Sequence, residues 1–246
     1  MWRKILIILY QPYKWLFYIP FLAINTLIFG VLAVLFSIIF NHRVGSYVGG
    51  VLWSKLNSWL VPMIVTVKGR ENIQSKTSYI ILTNHQSAYD IFLVYGWIGI
   101  DIKWIMKKEL QKVPGLGFGS EKVGHIFLDR SNSRAALESL NVAKKKLVNG
   151  TSVVVFPEGT RSKTGIPGPF KRGAFKLAID LGLPILPVTL INTRKVLPTD
   201  SFNILPAKVK MVIHKPITID GYNEKNMPEL IDRVRNIICS ELPDDK

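Results

Sequence analysis

The chain has 246 residues, 48% hydrophobic and 20% charged, with a mean hydropathy of +0.23. That length builds one domain with a sizeable core plus a smaller appendage, and that composition excludes a disordered chain and an ordinary soluble one. Its 32 Lys and Arg against 17 Asp and Glu give a formal charge of +15, which selects a polyanionic partner (nucleic acid, an anionic lipid surface or a phosphorylated substrate), while the single cysteine, Cys239, excludes an internal disulfide and fits a reducing compartment.

Residues 15–40 are almost wholly apolar, and within 21–40 only Asn25, Thr26 and Ser37 carry polar side-chain atoms. About 20 such residues suffice to cross a bilayer as a helix. A secretory signal would have a shorter apolar core and a small-residue cleavage site, so removal of this segment is not expected. Pro20 permits a break. Basic residues flank the segment on both sides, with Arg3, Lys4 and Lys14 before it and Arg43, Lys55, Lys68 and Arg70 after it. Positive residues mark the cytoplasmic side, so the balance predicts a bent, hairpin-like anchor within residues 1–40, both flanks cytoplasmic, over one ordinary span. Residues 48–61 mix apolar side chains with Ser54, Lys55, Asn57 and Ser58, the pattern of an interfacial amphipathic helix. Trp53 and Trp59 then sit at headgroup depth or serve as core aromatics. Residues 1–62 are expected to anchor the chain to a membrane and 63–246 to form the globular domain.

From residue 64 onward short apolar runs alternate with helical stretches. Strands are predicted over 79–82, 102–106, 126–128, 152–156, 185–190 and 209–213, and helices over 90–97, 134–148, 175–181 and 227–242. Asn149-Gly150 and Gly182 supply helix stops. The Val153-Val154-Val155 run suits a strand buried on both faces. This alternation argues for an α/β domain, a mostly parallel sheet flanked by helices, behind an N-terminal apolar helical membrane anchor. Such sheets carry their chemistry on loops at the carboxyl ends of the strands.

Four motifs fall at such ends. Asn84-His85-Gln86-Ser87-Ala88-Tyr89-Asp90 follows the 79–82 run. His85 sits where strand becomes helix, and Asp90 can reach back to its ring, fix the tautomer and stabilise the imidazolium formed on taking a proton. A histidine that merely caps a helix fits the same spacing. Phe156-Pro157-Glu158-Gly159-Thr160-Arg161-Ser162 follows the 152–156 run. The Arg161 fork matches phosphate oxygens, Gly159 lets backbone approach a ligand, and Glu158 can bond a substrate hydroxyl or orient Arg161. The alternative is a Glu–Arg pair that closes a turn. Phe127-Leu128-Asp129-Arg130 offers Arg130 as a phosphate ligand or a loop anchor, and Leu186-Pro187-Val188 is an apolar strand whose proline shapes the backbone. Lys107 and Lys108 add positive charge to the same pocket or remain solvated surface.

In this order the motifs resemble those of the PlsC-type glycerolipid acyltransferases: Asn-His-x-Ser-x-x-Asp, Phe-x-x-Arg, Phe-Pro-Glu-Gly-Thr-Arg-Ser and a Val/Leu-Pro-Val block. They span about residues 84–189, the first and third matching closely. The resemblance implies that His85 and Asp90 form the catalytic pair, and that Arg130, Glu158, Gly159 and Arg161 bind the phosphate and glycerol of an acyl acceptor. Thr160 and Lys107 complete the expected substrate-binding set. It further implies an acyl-carrier protein or coenzyme A thioester as co-substrate, with no metal and no other cofactor. The expected reaction moves the acyl group to the sn-2 hydroxyl of 1-acyl-glycerol-3-phosphate, giving phosphatidic acid, on the cytoplasmic face of the cell membrane. Glycerol-3-phosphate or another lysophospholipid as acceptor, and a non-catalytic lipid-binding protein, are the alternatives. The chemistry agrees: a hydroxyl needs a base, a thioester carbonyl accepts direct attack, and the chain lacks a Gly-x-Ser-x-Gly nucleophile elbow. His42, His85, His125 and His214 are too scattered to predict a metal site, and nucleic-acid binding leaves the apolar N-terminal segment unexplained.

Overall fold

The structure, a computed structural model, describes residues 2–129 and 133–243. It opens on a rod made of α1 (Trp2–Tyr13), a π-helical stretch (Lys14–Tyr18) and α2 (Ile19–Ile39). The break expected at Pro20 does not occur. The proline follows the π stretch, where the Ile19 N–H bonds the Lys14 carbonyl five residues back, and this wider turn accommodates its ring.

The chain reverses instead at Phe40–Asn41. Asn41 leaves helical backbone, and its side chain accepts from the Arg43 and Val44 N–H groups at 2.9 and 3.1 Å, capping α3 (His42–Ser46). A second π stretch (Tyr47–Leu52) and α4 (Trp53–Leu60) then run back along α2. Glycines let the arms close: a Cβ on Gly45 would stand 1.8 Å from Ser37 Oγ, and one on Gly49 2.4 Å from Ala33 Cβ. Asn25 and Asn57, both buried, exchange amide hydrogen bonds of 3.0 and 2.9 Å, which removes the cost of two polar groups inside an apolar hairpin. A hairpin is therefore present, but its arms are 2–39 and 42–60. The 1–40 segment alone does not fold back. In the returning arm Trp53 stacks on Phe92 with centroids 4.6 Å apart, whereas Trp59 is 66% exposed.

The remaining chain forms β1 (Met63–Lys68), β2 (Ile80–Thr83), α5 (Tyr89–Trp97), β3 (Ile102–Lys107), α6 (Leu116–Lys122), β4 (Ile126–Leu128), α7 (Ser133–Lys146), β5 (Ser152–Val155), α8 (Arg172–Leu181), β6 (Ile185–Ile191), α9 (Thr193–Val196), β7 (Ala207–Ile213) and α10 (Met227–Cys239). The seven strands are ordered β1-β7-β6-β2-β5-β3-β4, parallel except for the β6/β7 pair. Central strands alternate between two cores. Ile81 and Val154 face a core shared with Leu93, Tyr18 and Met211, while Ile80, Leu82 and Val153 face one shared with Phe175, Leu230 and Val234. The helical hairpin and α5 cover the first face, and α7, α8 and α10 the second. Burial on both sides is what an apolar parallel strand requires.

Candidate active site

Because β2, β5 and β3 run parallel, the segments that follow them leave the sheet at one edge. Asn84, wholly buried just after β2, makes the turn possible. Its amide donates to the Leu190 carbonyl at 2.9 Å and accepts from the Leu190 N–H at 2.8 Å, so a side chain pairs with β6 as a strand residue would. The main chain is then free to swing His85 outward.

His85 Nδ1 lies 2.8 Å from Asp90 Oδ2. That oxygen also accepts from the backbone N–H groups of Gln86 and Ser87 at 2.6 and 2.9 Å, and the Asp90 side chain is 0% exposed. A buried carboxylate at the start of α5, bonded to two amides, holds a proton on Nδ1 and leaves Nε2 as the acceptor. Among the described residues Nε2 has no hydrogen-bond partner. The ring plane is set from the side: His85 stacks on Phe156 at 3.9 Å and 15°, and Phe156 on Trp104 at 5.7 Å. The roles of Asn84, Phe156 and Trp104 escaped the sequence reading. An asparagine immediately before the histidine and an aromatic ending the Val153-Val154-Val155 run were the signals available.

Glu158 is buried beside this pair. Oε1 accepts from the His85 N–H at 2.8 Å and Oε2 from the Gly168 N–H at 2.9 Å. Burial pushes its pKa up, and those two amides oppose the shift. The alternative Glu158–Arg161 pair is not made, because both carboxylate oxygens point to backbone amides instead. The Ser162 N–H adds a 2.7 Å bond to the His85 carbonyl, stitching the two motifs into one unit.

Gly159, at φ +74°, Thr160 and Arg161 are exposed, and among the described residues the Arg161 guanidinium has no hydrogen-bond partner. A Cβ on Gly159 would stand 2.7 Å from Lys171 Nζ, so a further cation, which no motif announced, overhangs this loop. Lys107 ends β3 exposed to solvent. Its β4 partner is Leu128, and Arg130, two residues beyond, lies outside the described residues. Cys239 is half-buried on α10, and burial pushes its thiol up, opposite to the shift a nucleophile requires.

An imidazole whose tautomer is fixed by a buried carboxylate, set at the strand ends with cations that among the described residues make no side-chain bond, has the geometry that can take a proton from the nucleophile of an anionic substrate. Comparison with known proteins gives this class a family. The profile described as Acyltransferase matches residues 64–191, and the chain belongs to that family. It is 37% identical over 194 residues to the chloroplastic 1-acyl-sn-glycerol-3-phosphate acyltransferase of Brassica napus, covering 78% of this chain and 54% of that one. It is 32% identical over 186 residues to the 1-acyl-sn-glycerol-3-phosphate acyltransferase of Pseudomonas aeruginosa, covering 74% and 71%. The crystal structure of the 1-acyl-sn-glycerophosphate acyltransferase PlsC of Thermotoga maritima superposes with a TM-score of 0.65 at 25% identity, covering 88% of this chain and 95% of that one. The chain spans about half the length of the plant chloroplast relatives it matches.

Proposed function

We propose that this protein transfers a fatty acyl group from an acyl-carrier protein or coenzyme A thioester to the sn-2 hydroxyl of 1-acyl-glycerol-3-phosphate, yielding phosphatidic acid. The observation that carries the reading is the 2.8 Å His85–Asp90 pair with Nε2 unbonded, beside the exposed Arg161. His85 Nε2 takes the proton of the acceptor hydroxyl as its oxygen forms a bond to the thioester carbonyl carbon. The C–S bond breaks as the tetrahedral adduct collapses, and the departing thiolate recovers the proton from the imidazolium. Asp90 stabilises that cation throughout. No acyl-enzyme, metal or other cofactor enters the scheme. Arg161 is assigned to the acceptor phosphate, with Gly159, Thr160, Lys107 and Arg130 around it, and Glu158 is assigned to holding the loop that carries Gly159, Thr160 and Arg161. Relatives named as 1-acyl-sn-glycerol-3-phosphate acyltransferases support the choice of acceptor.

Arg161→Ala tests the acceptor assignment. Loss of one charge-assisted contact, about 1.5–3 kcal/mol, should lower kcat/KM for the phosphorylated acceptor roughly 10- to 150-fold. Use of a monoacylglycerol lacking phosphate should be unchanged, and Arg161→Lys should recover only part of the loss because the planar fork is gone. Equal losses with both acceptors would remove Arg161 from the phosphate site.

The rod supports membrane association, since residues 8–39 are long and apolar enough to cross a bilayer. We infer that α2 lies in the plane of one leaflet, on the cytoplasmic side of the cell membrane. The domain holds the chain on either side of α2: Lys14 Nζ donates to the Phe202 carbonyl at 3.0 Å, and Arg43 Nη2 to the Asn149 carbonyl at 2.7 Å. At about 1.5 Å per residue these anchors are roughly 40 Å apart, and a water-soluble domain cannot stand on both sides of a bilayer. Phe17, Phe21, Ile24, Ile28, Val31, Leu35 and Ile38, all exposed, form one stripe at helical spacing along the outer face. Ile5→Cys in a Cys239→Ser background should resist a membrane-impermeant thiol reagent in intact cells. Labelling from outside would refute the one-sided placement.

A further inference from the structure

The amino-terminal ends of β3 and β4, opposite the edge that carries His85, border a cleft of about 270 Å³ that acyl transfer does not use. At ~30 Å³ per water it has room for on the order of nine waters. His42, Lys103, Glu121, Lys122 and Lys146 line it, three ammonium groups against one carboxylate. Lys103, in β3, is 1% exposed and makes one short bond, to Asp101 Oδ1 at 2.8 Å, with the His42 carbonyl at 3.5 Å. That carboxylate is shared, since Asp101 Oδ2 accepts from Thr151 Oγ1 at 2.9 Å and lies 3.8 Å from Arg43 Nε. Among the described residues Lys146 Nζ makes one hydrogen bond, to the His125 carbonyl at 3.0 Å, with the Glu121 charge near it. Burial lowers the pKa of both lysines, against the opposing pull of Asp101 on Lys103 and of Glu121 on Lys146. Gly124 keeps the cleft open: a Cβ there would stand 3.3 Å from Lys103 Cε and 3.5 Å from His42 Cγ.

We propose that this cleft is a second phosphate-binding site, separate from the acyl-transfer centre, which takes the phosphate of an anionic lipid headgroup. Its rim argues for lipid over the free anion. Ile39 and Phe40, 67% and 62% exposed, close the apolar run at the end of α2, two residues before His42. On the other side α6 exposes Leu116 and Phe118 and ends at Lys122, whose Nζ lies 5.4 Å from the Phe118 ring centre. Apolar side chains with ammonium groups just above them are the arrangement that seats at the boundary of acyl chains and headgroups. The lipid source rests on the in-plane placement of α2 proposed above. The phosphate site does not.

Purified full-length protein is tested in two arms, each with wild type, Lys122→Gln/Lys146→Gln and a control, Lys215→Gln/Lys225→Gln, which removes equal charge from exposed loops outside the cleft. In the first, flotation measures partition onto vesicles of phosphatidylcholine alone and of phosphatidylcholine with phosphatidylglycerol. The cleft variant should lose about tenfold or more in partition onto the anionic vesicles, with binding to neutral vesicles unchanged, whereas the control should retain its preference. Equal losses in the two variants would overturn the site in favour of diffuse charge. In the second arm, inorganic phosphate at matched ionic strength in detergent should raise the Tm of wild type and control but not of the cleft variant. A response in this arm alone keeps the phosphate site and overturns its lipid assignment. No response in either arm refutes both, and neither arm depends on acyl transfer.

Discussion

His85→Ala is expected to lower kcat by about 10²–10⁴-fold or more, while leaving Tm and vesicle binding near wild type. The side chain sits at the end of β2 with its Nε2 unbonded, so truncation removes the base and one 2.8 Å bond to Asp90 without opening the core. Asp90 keeps its amide partners Gln86 and Ser87, which limits the structural cost. Asp90→Asn should lose about 10²-fold or more by another route. An amide in place of the carboxylate no longer dictates a proton on Nδ1, and the imidazolium loses its counter-charge. Steady-state rates of thiol release, read beside melting curves, separate these effects from unfolding. A His85→Ala protein that keeps more than about a tenth of wild-type kcat would end the assignment of His85 as base.

The second large effect is expected at Glu158, where two readings diverge. The carboxylate joins the His85 and Gly168 N–H groups, so it ties the base-bearing turn to the Gly-rich loop. Glu158→Gln must turn an NH₂ toward one of those amides, costing about 1.5–3 kcal/mol. The melting point should fall by about 3–10 °C, and kcat should fall more than the acceptor KM rises, because the displaced turn carries His85. Were Glu158 chiefly a glycerol ligand, the same substitution would raise acceptor KM at unchanged Tm. Melting curves and a kcat–KM split on one preparation distinguish the two.

These residues also mark how far the sequence is legible. The His85–Asp90 pair could be read because a carboxylate in the first turn of a helix reaches back to the turn before it, a local geometry. Strands such as β4 and β5 could be read from compact apolar runs bounded by turn residues. The partners of Glu158 could not, since they are backbone amides 73 and 10 residues away that leave no mark in composition. β1 escaped notice because it is an edge strand whose alternate residues, Ile64, Thr66 and Lys68, turn outward, with Thr and Lys breaking the apolar signal. α6 escaped because Gly117 and Gly119 interrupt its helical pattern. The break expected at Pro20 failed for a different reason: the π stretch Lys14–Tyr18 absorbs the proline, and the true reversal was encoded by Asn41 as a helix cap with Gly45 and Gly49 as contact points. The antiparallel β7, inserted between β1 and β6, is a tertiary choice that no local pattern fixes.

The most direct test of the central claim follows product. Purified protein is given isotopically labelled 1-acyl-glycerol-3-phosphate with an acyl-carrier protein or coenzyme A thioester, and lipid product and free thiol are quantified together. The expected result is phosphatidic acid acylated at sn-2, one thiol released per molecule formed, and neither above background with His85→Ala. Stable binding of the lysolipid with no phosphatidic acid and no thiol release from either donor would contradict the account and leave a lipid-binding protein in its place.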